Sequence, residues 1–352
     1  MVQKSLLLFG VLAAPVLAAL PGNTFVEPLS RPAPHRAVLA KSQLTALTQV
    51  GQRLFAAGRH GMIAASVDGG ASWKQQAVPV ESDLVAINFA TPLDGWAVGH
   101  DGVVLSSKDG GSSWVKRFDG HSLAALIEAY YRRELAAHPG DAPLAAALAQ
   151  ARQLVSDGAD KPLLDVWFRD ERHGYIVGAF NLIIVTEDGG ASWTPWLDRT
   201  DNPDGLHLNA VRGTADDVYI AGERGLVRRL DAGKQRFVAL ASPYNGSFFG
   251  LVIQGDDLVA FGLQGRAFRS GDKGASWLPL ATDTRATLTG GAFLADGRLV
   301  MVGDDGYVLL ANGPGTSFSR HPCLMSCYAI AAGKHGAVVV AGASGAHSLP
   351  LN

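Results

Sequence analysis

One pattern occurs four times in this chain and limits its possible folds more than any other feature. It reads S/T-x-D-x-G-x-x-W, and we call each copy an Asp-box. A motif repeated along a chain indicates a repeat architecture with one copy per structural unit. In a tight hairpin the Ser and Asp oxygens accept hydrogen bonds from turn amides, the Gly permits positive φ, and the Trp packs between units. The positions predicted to be structural are Ser66, Asp68, Gly70, Trp73, Ser107, Asp109, Gly111, Trp114, Thr186, Asp188, Gly190, Trp193, Ser270, Asp272, Gly274 and Trp277.

A second motif, Gly-x-x-Gly, lies between two apolar strands in the repeats. Its first glycine recurs at intervals of about forty residues, the length of a four-stranded propeller blade, with one longer interval. The sequence therefore predicts an all-β fold, a seven-bladed β-propeller with four-stranded blades over residues 36–349. The last repeat is one strand short, and we predict that Arg36–Leu39 completes it and closes the ring. The leading glycines are Gly58, Gly99, Gly178, Gly222, Gly262, Gly303 and Gly342.

Residues 119–162 interrupt the repeats between blades 2 and 3 with a helical pattern. Apolar residues from Leu123 to Leu135 recur at helical spacing, and Ser122 is the predicted N-cap. A second apolar stripe, Leu144 to Val155, ends at Gly158. The segment is predicted to be a helical hairpin. The sequence is compatible with two roles for this hairpin, packing on the propeller and docking of a partner.

Propeller geometry separates the connections between two faces of the disc. Strand direction alternates within a blade, so the Asp-boxes, between strands three and four, lie on one face. The Gly-x-x-Gly turns and the connections between blades, including the insert, lie on the other, which we call the loop-rich face. Binding residues concentrate on loops held by a rigid scaffold, so we expect this face to contact a partner. The candidate partner-binding residues are Arg59, His60, His100, Asp101, Phe180, Arg224, Arg266, Tyr130 and Tyr131.

The start of the chain has the pattern of a secretory signal. Lys4 precedes an apolar stretch, and small residues end at Ala18, so residues 1–18 are predicted to be removed on export. The absence of a Cys just after Ala18 argues against lipid attachment there. We therefore expect an exported protein.

Charge and cysteine content argue against several functional classes. Lys and Arg (30) nearly balance Asp and Glu (32), whereas nucleic-acid-binding modules are usually strongly basic. Cys323 and Cys327 are candidates for a disulfide in an oxidising compartment, or are two structural thiols. A metal site would need more ligands than these and His321, so no metal is expected. The sequence contains no phosphate-loop motif, and we expect no cofactor.

Two segments, Gly95–Gly102 and Thr186–Trp193, together with the signal and the seven repeats, resemble the photosystem II stability/assembly factor family, in its bacterial branch. The resemblance covers roughly residues 36–349 and implies a non-enzymatic propeller with BNR/Asp-box repeats. It also implies a periplasmic location, or the thylakoid lumen in a photosynthetic host. Photosynthetic members bind nascent reaction-centre protein through an arginine-rich patch, and Arg59, Arg224 and Arg266 occupy comparable turn positions here. Bacterial members are associated with resistance-nodulation-division-type exporters.

The resemblance thus implies an integral membrane protein as partner, either a reaction-centre protein or an exporter, and we expect a monomer. The alternative is a sialidase-like glycoside hydrolase or a glycan-binding propeller, because sialidases share the Asp-box. A sialidase needs a Tyr nucleophile and three arginines on the substrate carboxylate. The available tyrosines are Tyr175, Tyr219, Tyr244 and Tyr307, without a recognisable arginine triad. Sialidases also have six blades, so the sequence favours the non-catalytic scaffold.

Overall fold

The computed structural model describes residues 26–35, 42–313, 317–333 and 336–351. Within these ranges the strands form seven antiparallel sheets, and six of the sheets have four strands. The predicted seven-bladed propeller with four-stranded blades is thereby confirmed. The predicted signal peptide, residues 1–18, and the predicted closing segment Arg36–Leu39 lie outside the described residues, so both stay predictions.

Within each blade the strands follow one another in sequence from the central channel outwards. Blade 1 comprises β1 (Leu44–Val50), β2 (Arg53–Gly58), β3 (Ile63–Ser66) and β4 (Lys74–Gln75); blade 2 comprises β5 (Leu84–Phe89), β6 (Gly95–Gly99), β7 (Val104–Ser107) and β8 (Val115–Phe118); blade 3 comprises β9 (Leu163–Phe168), β10 (Gly174–Gly178), β11 (Ile183–Thr186) and β12 (Thr194–Pro195); blade 4 comprises β13 (Leu208–Gly213), β14 (Val218–Gly222), β15 (Val227–Asp231) and β16 (Arg236–Ala239).

The remaining blades repeat this order, and blade 7 shows three strands in the described part of the chain. Blade 5 comprises β17 (Phe248–Gln254), β18 (Asp257–Gly262), β19 (Ala267–Ser270) and β20 (Leu278–Pro279); blade 6 comprises β21 (Leu288–Phe293), β22 (Leu299–Gly303), β23 (Tyr307–Ala311) and β24 (Phe318–Pro322); blade 7 comprises β25 (Cys327–Ala332), β26 (Ala337–Gly342) and β27 (Gly345–Pro350).

The second strand of each blade is apolar because neighbouring blades cover both of its faces. β6, β10 and β14 are buried at every residue. A short, continuous apolar run of this kind is typical of a strand covered on both sides, whereas a half-exposed strand alternates. The core of the molecule therefore lies between blades rather than in one central cluster.

The first strands surround a central channel and close into a ring. Each contacts the first strand of the next blade, and β25 of blade 7 contacts β1 of blade 1. Polar side chains near the start of these strands add links between blades. Thr45 Oγ1 donates to the Leu84 carbonyl (2.6 Å), and Thr289 Oγ1 donates to the Cys327 carbonyl (2.7 Å). At these two places a backbone carbonyl on the inner edge of one sheet is satisfied by a side chain of the neighbouring blade.

Two helices, α1 (Gly120–Ala137) and α2 (Ala142–Asp157), lie between blades 2 and 3 as predicted. The N-cap of α1 is Asp119 rather than the predicted Ser122. The Asp119 carboxylate accepts the Ser122 amide (3.0 Å), and Ser122 Oγ accepts the Asp119 amide (3.0 Å), so the two residues form a capping box. Ile127 and Ala151 are fully buried in the cluster shared with blades 2 and 3, so one side of the hairpin packs on the propeller.

Candidate functional site

The four Asp-boxes share the hydrogen bonds of their Ser or Thr hydroxyl and their Asp carboxylate, which blade 2 illustrates. Ser107 Oγ donates to Asp109 Oδ1 (2.8 Å) and accepts the Gly111 amide (2.8 Å). The Asp109 carboxylate accepts both the amide (3.0 Å) and the hydroxyl (2.6 Å) of Ser113. Trp114 Nε1 donates to the Gly111 carbonyl (3.2 Å), as Trp73 Nε1 does to the Gly70 carbonyl (3.1 Å). In the Asp-boxes of blades 3 and 5, Trp193 Nε1 and Trp277 Nε1 are buried without a hydrogen-bond partner among the described residues. The hairpin of blade 2 thus satisfies the polar groups of its motif.

These hydrogen bonds also set the charge of the Asp-boxes. The serine hydroxyl four residues after each aspartate, followed by that serine's amide, lowers the pKa of Asp109, Asp188 and Asp272 to about 2. The pKa of Asp68 is lowered for the same reason. The aspartates are therefore ionised acceptors inside turns and are poorly suited to act as proton donors near neutral pH.

The Asp-box of blade 3 also makes the contact with blade 2. Gly190 has φ +81° and lies against the indole of Trp96. The ring centroids of Trp96 and Trp193 are 5.5 Å apart, edge to face, and Trp96 stacks on Phe168 at 5.1 Å. A glycine is needed here both for its φ and for the space that Trp96 occupies.

On the loop-rich face, the turns of blades 1 to 5 place a side chain at a positive φ. The residues are His60 (57°), Asp101 (57°), Phe180 (54°), Arg224 (51°) and Gln264 (58°). The next residue also has positive φ, as in a type I′ turn, and in blade 3 it is Asn181 instead of Gly. Such a backbone is unfavourable for most side chains, so each turn presents its residue in one fixed direction.

Most charged side chains predicted for this face already have a partner within the protein. The pairs are Arg59 with Asp83 (3.1 Å), His60 with Glu81 (3.7 Å), Arg224 with Asp204 (3.7 Å) and Asp101 with the Ser82 hydroxyl (2.7 Å). His100 is exposed beside them. A carboxylate from outside would have to compete with these internal partners. Arg59 and Arg224 are thus less available to an acidic ligand than their exposure suggests.

Arg266 differs from those two arginines. It is exposed, and within the described residues its side chain has no ion pair or hydrogen bond. It lines a cavity of about 390 Å³ with Arg285, which is equally exposed and unpaired among the described residues. Thr282 Oγ1 donates to the Gly265 carbonyl (2.6 Å), tying the connection to the turn. Two guanidinium groups and one lining carboxylate, Asp283, give this cavity a net positive charge.

Arg285 was not among the sequence-predicted site residues. The candidates on the propeller came from the turns and their flanks, whereas Arg285 lies in the connection between blades 5 and 6. The sequence feature that points to Arg285 is its position shortly before β21, in a connection between two blades. Connections between blades lie on the loop-rich face. The structure brings it to the same cavity as Arg266.

Phe180 is the exposed aromatic residue of this ring, with 46% of its surface exposed. Its amide donates to His207 Nδ1 (3.3 Å), and its carbonyl accepts Gln150 Nε2 of α2. The rings of Phe180 and His207 pack edge to face at 4.5 Å, and Lys161 Nζ lies 5.4 Å from the Phe180 ring centre. The aromatic ring is thus held in place before any partner binds.

The two candidate tyrosines of the insert have different surroundings. Tyr130 is half-buried, with the Arg133 guanidinium 5.3 Å from its ring centre. Tyr131 is fully buried, and its hydroxyl donates to Asp198 Oδ1 (2.7 Å). Burial also raises the pKa of Tyr131. Tyr131 therefore fastens the insert to the blade 3–4 connection, and its side chain has no exposed surface in this structure.

Cys323 and Cys327 form a disulfide in the connection between blades 6 and 7. The loop between them presents Leu324, which has φ 60° and is 93% exposed. Ser326 Oγ donates to the Asp304 carbonyl (2.9 Å), so the loop is fastened to the blade 6 turn. This places a further apolar side chain on the loop-rich face.

The central channel contains a cavity of about 290 Å³ lined by the first strands. Asp165 is buried there and accepts the amides of Val166 (2.9 Å) and Val211 (2.9 Å) and the guanidinium of Arg212. Burial raises the pKa of Asp165, and Arg212 opposes that effect. The carboxylate joins blade 3 to blade 4, so its hydrogen bonds are used within the fold.

Of the four tyrosines considered for a sialidase-like reaction, three are buried or hydrogen-bonded within the fold, and the fourth, Tyr307, is exposed. Tyr175 and Tyr219 are buried, and burial raises the pKa of Tyr219 to about 12. The Tyr244 hydroxyl donates to the Leu263 carbonyl (3.1 Å). A nucleophile has to be accessible and activated, and those three phenols are buried or already hydrogen-bonded.

Two further observations concern the described residues as a whole. Within the ranges that the structure describes, no three His, Cys, Asp or Glu side chains are grouped to hold a metal ion. In the same part of the chain, no helix has the length and apolar character needed to cross a bilayer.

Sequence comparison supplies a family match. A family model described as photosynthesis system II assembly factor YCF48 matches residues 45–132 and 144–323, more than half of the chain. Photosystem II assembly lipoprotein Ycf48 of Synechococcus sp. (strain CC9902) is 31% identical over 126 residues, which are 34% of this chain and 37% of that protein. The match therefore spans little more than a third of the length of this curated relative.

Solved structures share the fold at low identity. A structure of YCF48 bound to D1 peptide is 12% identical, with a TM-score of 0.63 over 89% of this chain and 94% of that one. The WD40 propeller domain of Doa1 is 10% identical, with a TM-score of 0.65 over 92% and 97%. Because a WD40 propeller superposes as well as YCF48 does, the structural likeness shows the propeller fold alone.

Proposed function

We propose a function from one premise: this chain belongs to the family of photosynthesis system II assembly factor YCF48. It is an exported, non-catalytic scaffold that binds an exposed segment of an integral membrane protein through its loop-rich face while that protein is assembled. The names of two relatives support this role. One is a photosystem II assembly lipoprotein, and another is described as YCF48 bound to D1 peptide.

The cavity between Arg266 and Arg285 is the observation that carries the proposal. A guanidinium group without an internal carboxylate partner favours a ligand that carries a carboxylate, because the planar fork donates two parallel hydrogen bonds to it. An acidic side chain or a chain terminus of the partner supplies that group. The exposed Phe180 and Leu324 supply apolar contacts on the same face. Rigid aromatic anchors of this kind contribute strongly to interfaces.

The partner class follows from the family. A reaction-centre protein is supported by the D1 peptide named for the solved relative. A resistance-nodulation-division-type exporter rests on the family resemblance alone.

The compartment is the periplasm, or the thylakoid lumen of a photosynthetic host. Light scattering of the purified protein tests the expected monomer, and a dimer mass would contradict it.

Capture from native membranes tests the proposed binding. Tagged wild-type protein and the double variant Arg266→Glu, Arg285→Glu are incubated with detergent-solubilised membranes, and captured proteins are identified by mass spectrometry. Reversing both charges should deplete the captured integral membrane protein about tenfold, since like charges at an interface oppose binding.

A charge-matched control separates the site from net charge. Arg172→Glu with Arg298→Glu makes the same change in hairpins on the Asp-box face. This control should capture the membrane protein as wild type does. Equal capture by both double variants, or enrichment of no integral membrane protein by wild type, would contradict the proposal.

A further inference from the structure

The connection from blade 4 to blade 5 contains an asparagine followed by a glycine, Asn245 and Gly246. The preceding carbonyl, of Tyr244, lies against Gly225 in the turn of blade 4, so the dipeptide is on the loop-rich face. We propose that Asn245 deamidates without an enzyme, and that the isoaspartate formed there loosens the connection from the turn of blade 5. This reaction does not depend on the proposed function of the face.

The reaction needs a mobile side chain and an amide nitrogen that is free to attack. The Gly246 nitrogen attacks the side-chain carbonyl carbon of Asn245, so a nitrogen–carbon bond forms and the bond to the side-chain nitrogen breaks. That nitrogen leaves as ammonia and takes the proton of the Gly246 amide. Water then opens the cyclic imide at either carbonyl and gives aspartate or isoaspartate. Glycine favours this step because it has no side chain to hinder the attack.

Asn245 has the freedom that this attack requires. Its side chain is exposed. Within the described ranges, neither that side chain nor the Gly246 amide takes part in a hydrogen bond. No internal hydrogen bond therefore has to break before the nitrogen reaches the carbonyl carbon, and a bond that had to break would slow the reaction.

The residue before Asn245 is held, and it explains why a glycine follows. The Tyr244 hydroxyl donates to the Leu263 carbonyl (3.1 Å), and its ring centroid lies 5.8 Å from that of Phe268. A Cβ at position 246 would lie against the Tyr244 phenol, so this position requires glycine. Packing thus preserves the glycine that makes its neighbour reactive.

Isoaspartate changes the main chain between two contacts with the turn of blade 5. It routes the backbone through the side-chain carbon and makes it one atom longer at position 245. On one side of this position, Tyr244 bonds to Leu263; on the other, the Ser247 carbonyl accepts the Leu263 amide (3.0 Å). A longer main chain shifts these contacts relative to each other, so we expect the Leu263 amide to lose protection from exchange.

A second Asn-Gly pair in the chain supplies the comparison. Asn312 and Gly313 lie in the hairpin of blade 6, on the Asp-box face, and Asn312 is exposed as well. Here the Asn312 side chain donates to Ser317 Oγ (3.3 Å), and the Asn312 amide donates to the Ser317 carbonyl (3.0 Å). The side-chain bond has to break before the carbonyl carbon can be attacked. The same dipeptide is thus accessible in both places and held in only one.

Timed incubation of the purified full-length protein tests the reaction. Samples kept in mildly alkaline buffer below the melting temperature are digested, and mass spectrometry measures conversion at positions 245 and 312. Position 245 should react about fivefold faster, the factor that corresponds to one hydrogen bond. Asn245→Gln should abolish conversion at position 245 and leave position 312 unchanged. Ser317→Ala, which frees the Asn312 side chain, should speed conversion at position 312.

Amide hydrogen exchange tests the structural effect. In protein that carries isoaspartate at position 245, the Leu263 amide should exchange about fivefold faster than in a fresh sample, since one hydrogen bond is weakened or lost. The Asn245→Gln variant, incubated for the same time, is the control and should exchange as the fresh sample does.

Three results would overturn the inference: Asn245 stays unmodified, position 312 reacts as fast as position 245, or the Leu263 amide exchanges no faster after isoaspartate has formed. A glycan on Asn245 in protein from the native envelope would overturn it as well, because Asn245, Gly246 and Ser247 also form a glycosylation acceptor sequence.

Discussion

The aspartates of the Asp-boxes and the arginine pair Arg266 and Arg285 on the loop-rich face differ in whether the protein itself satisfies their charge. In each Asp-box the carboxylate is saturated by its own hairpin, as Ser107 and Ser113 saturate Asp109. On the loop-rich face, Arg266 and Arg285 share a cavity without a carboxylate partner among the described residues. The recurring motif therefore maintains the fold, whereas the arginines without an internal partner are available to a ligand.

The largest expected effect is steric and lies in an Asp-box. Gly190→Ala places a methyl group against Trp96 at φ +81°, where neither the ring nor the backbone can yield easily. We expect a loss of about 3 kcal/mol of unfolding free energy. Gly51→Ala is the matched control, since its φ is +59° but no atom lies within 4 Å. Urea denaturation measures the unfolding free energy of both variants. Equal losses would mean that the contact with Trp96 is not the reason why position 190 requires glycine.

A smaller effect follows from removing one hydroxyl. Ser107→Ala leaves the buried Gly111 amide without its acceptor and removes the Ser107 hydrogen bond to Asp109, which should cost about 1–3 kcal/mol. Ser112→Ala removes an exposed hydroxyl that bonds only the Asp109 carbonyl, and should change stability by less than about 0.5 kcal/mol. A Ser107 variant as stable as the Ser112 variant would show that the hairpin does not depend on its internal bonds.

The pH dependence of stability offers a third comparison. Since the folded pKa of Asp109, Asp188 and Asp272 is about 2 and the unfolded value is about 3.9, their contribution is complete above about pH 4. It is lost as pH falls through about 2. The melting temperature should therefore fall between pH 4 and 2. It should fall less in a variant with all three aspartates changed to Asn. If the melting temperature of this variant fell with pH as steeply as that of the wild type, these three aspartates would not be the cause of the pH dependence.

The smallest expected effect on stability lies on the other face. Arg266→Ala with Arg285→Ala removes no internal ion pair, so the unfolding free energy should change by less than about 0.5 kcal/mol. Partner capture should fall nonetheless. A large loss of stability, measured by the same urea titration, would show that these arginines serve the fold.

The sequence predicted the blades and the two helices well, because both depend on local patterns. Asp-boxes and glycine turns recur at a constant spacing, and helical periodicity is visible without a tertiary context. Capping was less predictable. Asp119 and Ser122 are both good capping residues, and only the hydrogen bonds show which one begins the helix.

The candidate site was less predictable because it depends on which residues meet in space. Tyr130 and Tyr131 are adjacent in sequence, but Tyr130 is only half-buried, whereas Tyr131 is fully buried with its hydroxyl bonded to Asp198. Arg224 and Arg266 occupy similar turns, yet only Arg224 finds a carboxylate, on a connection whose path the sequence does not reveal. Pairing of charges across blades is a tertiary property.

Crosslinking from two exposed leucines determines which face of the disc contacts a membrane protein. A photoreactive phenylalanine replaces Leu263, beside the Arg266 cavity, or Leu93, in a hairpin on the Asp-box face; both are exposed. After irradiation in the native envelope, position 263 should crosslink to an integral membrane protein and position 93 should not. A crosslink to a membrane protein from position 93, with none from position 263, would contradict the division between the two faces.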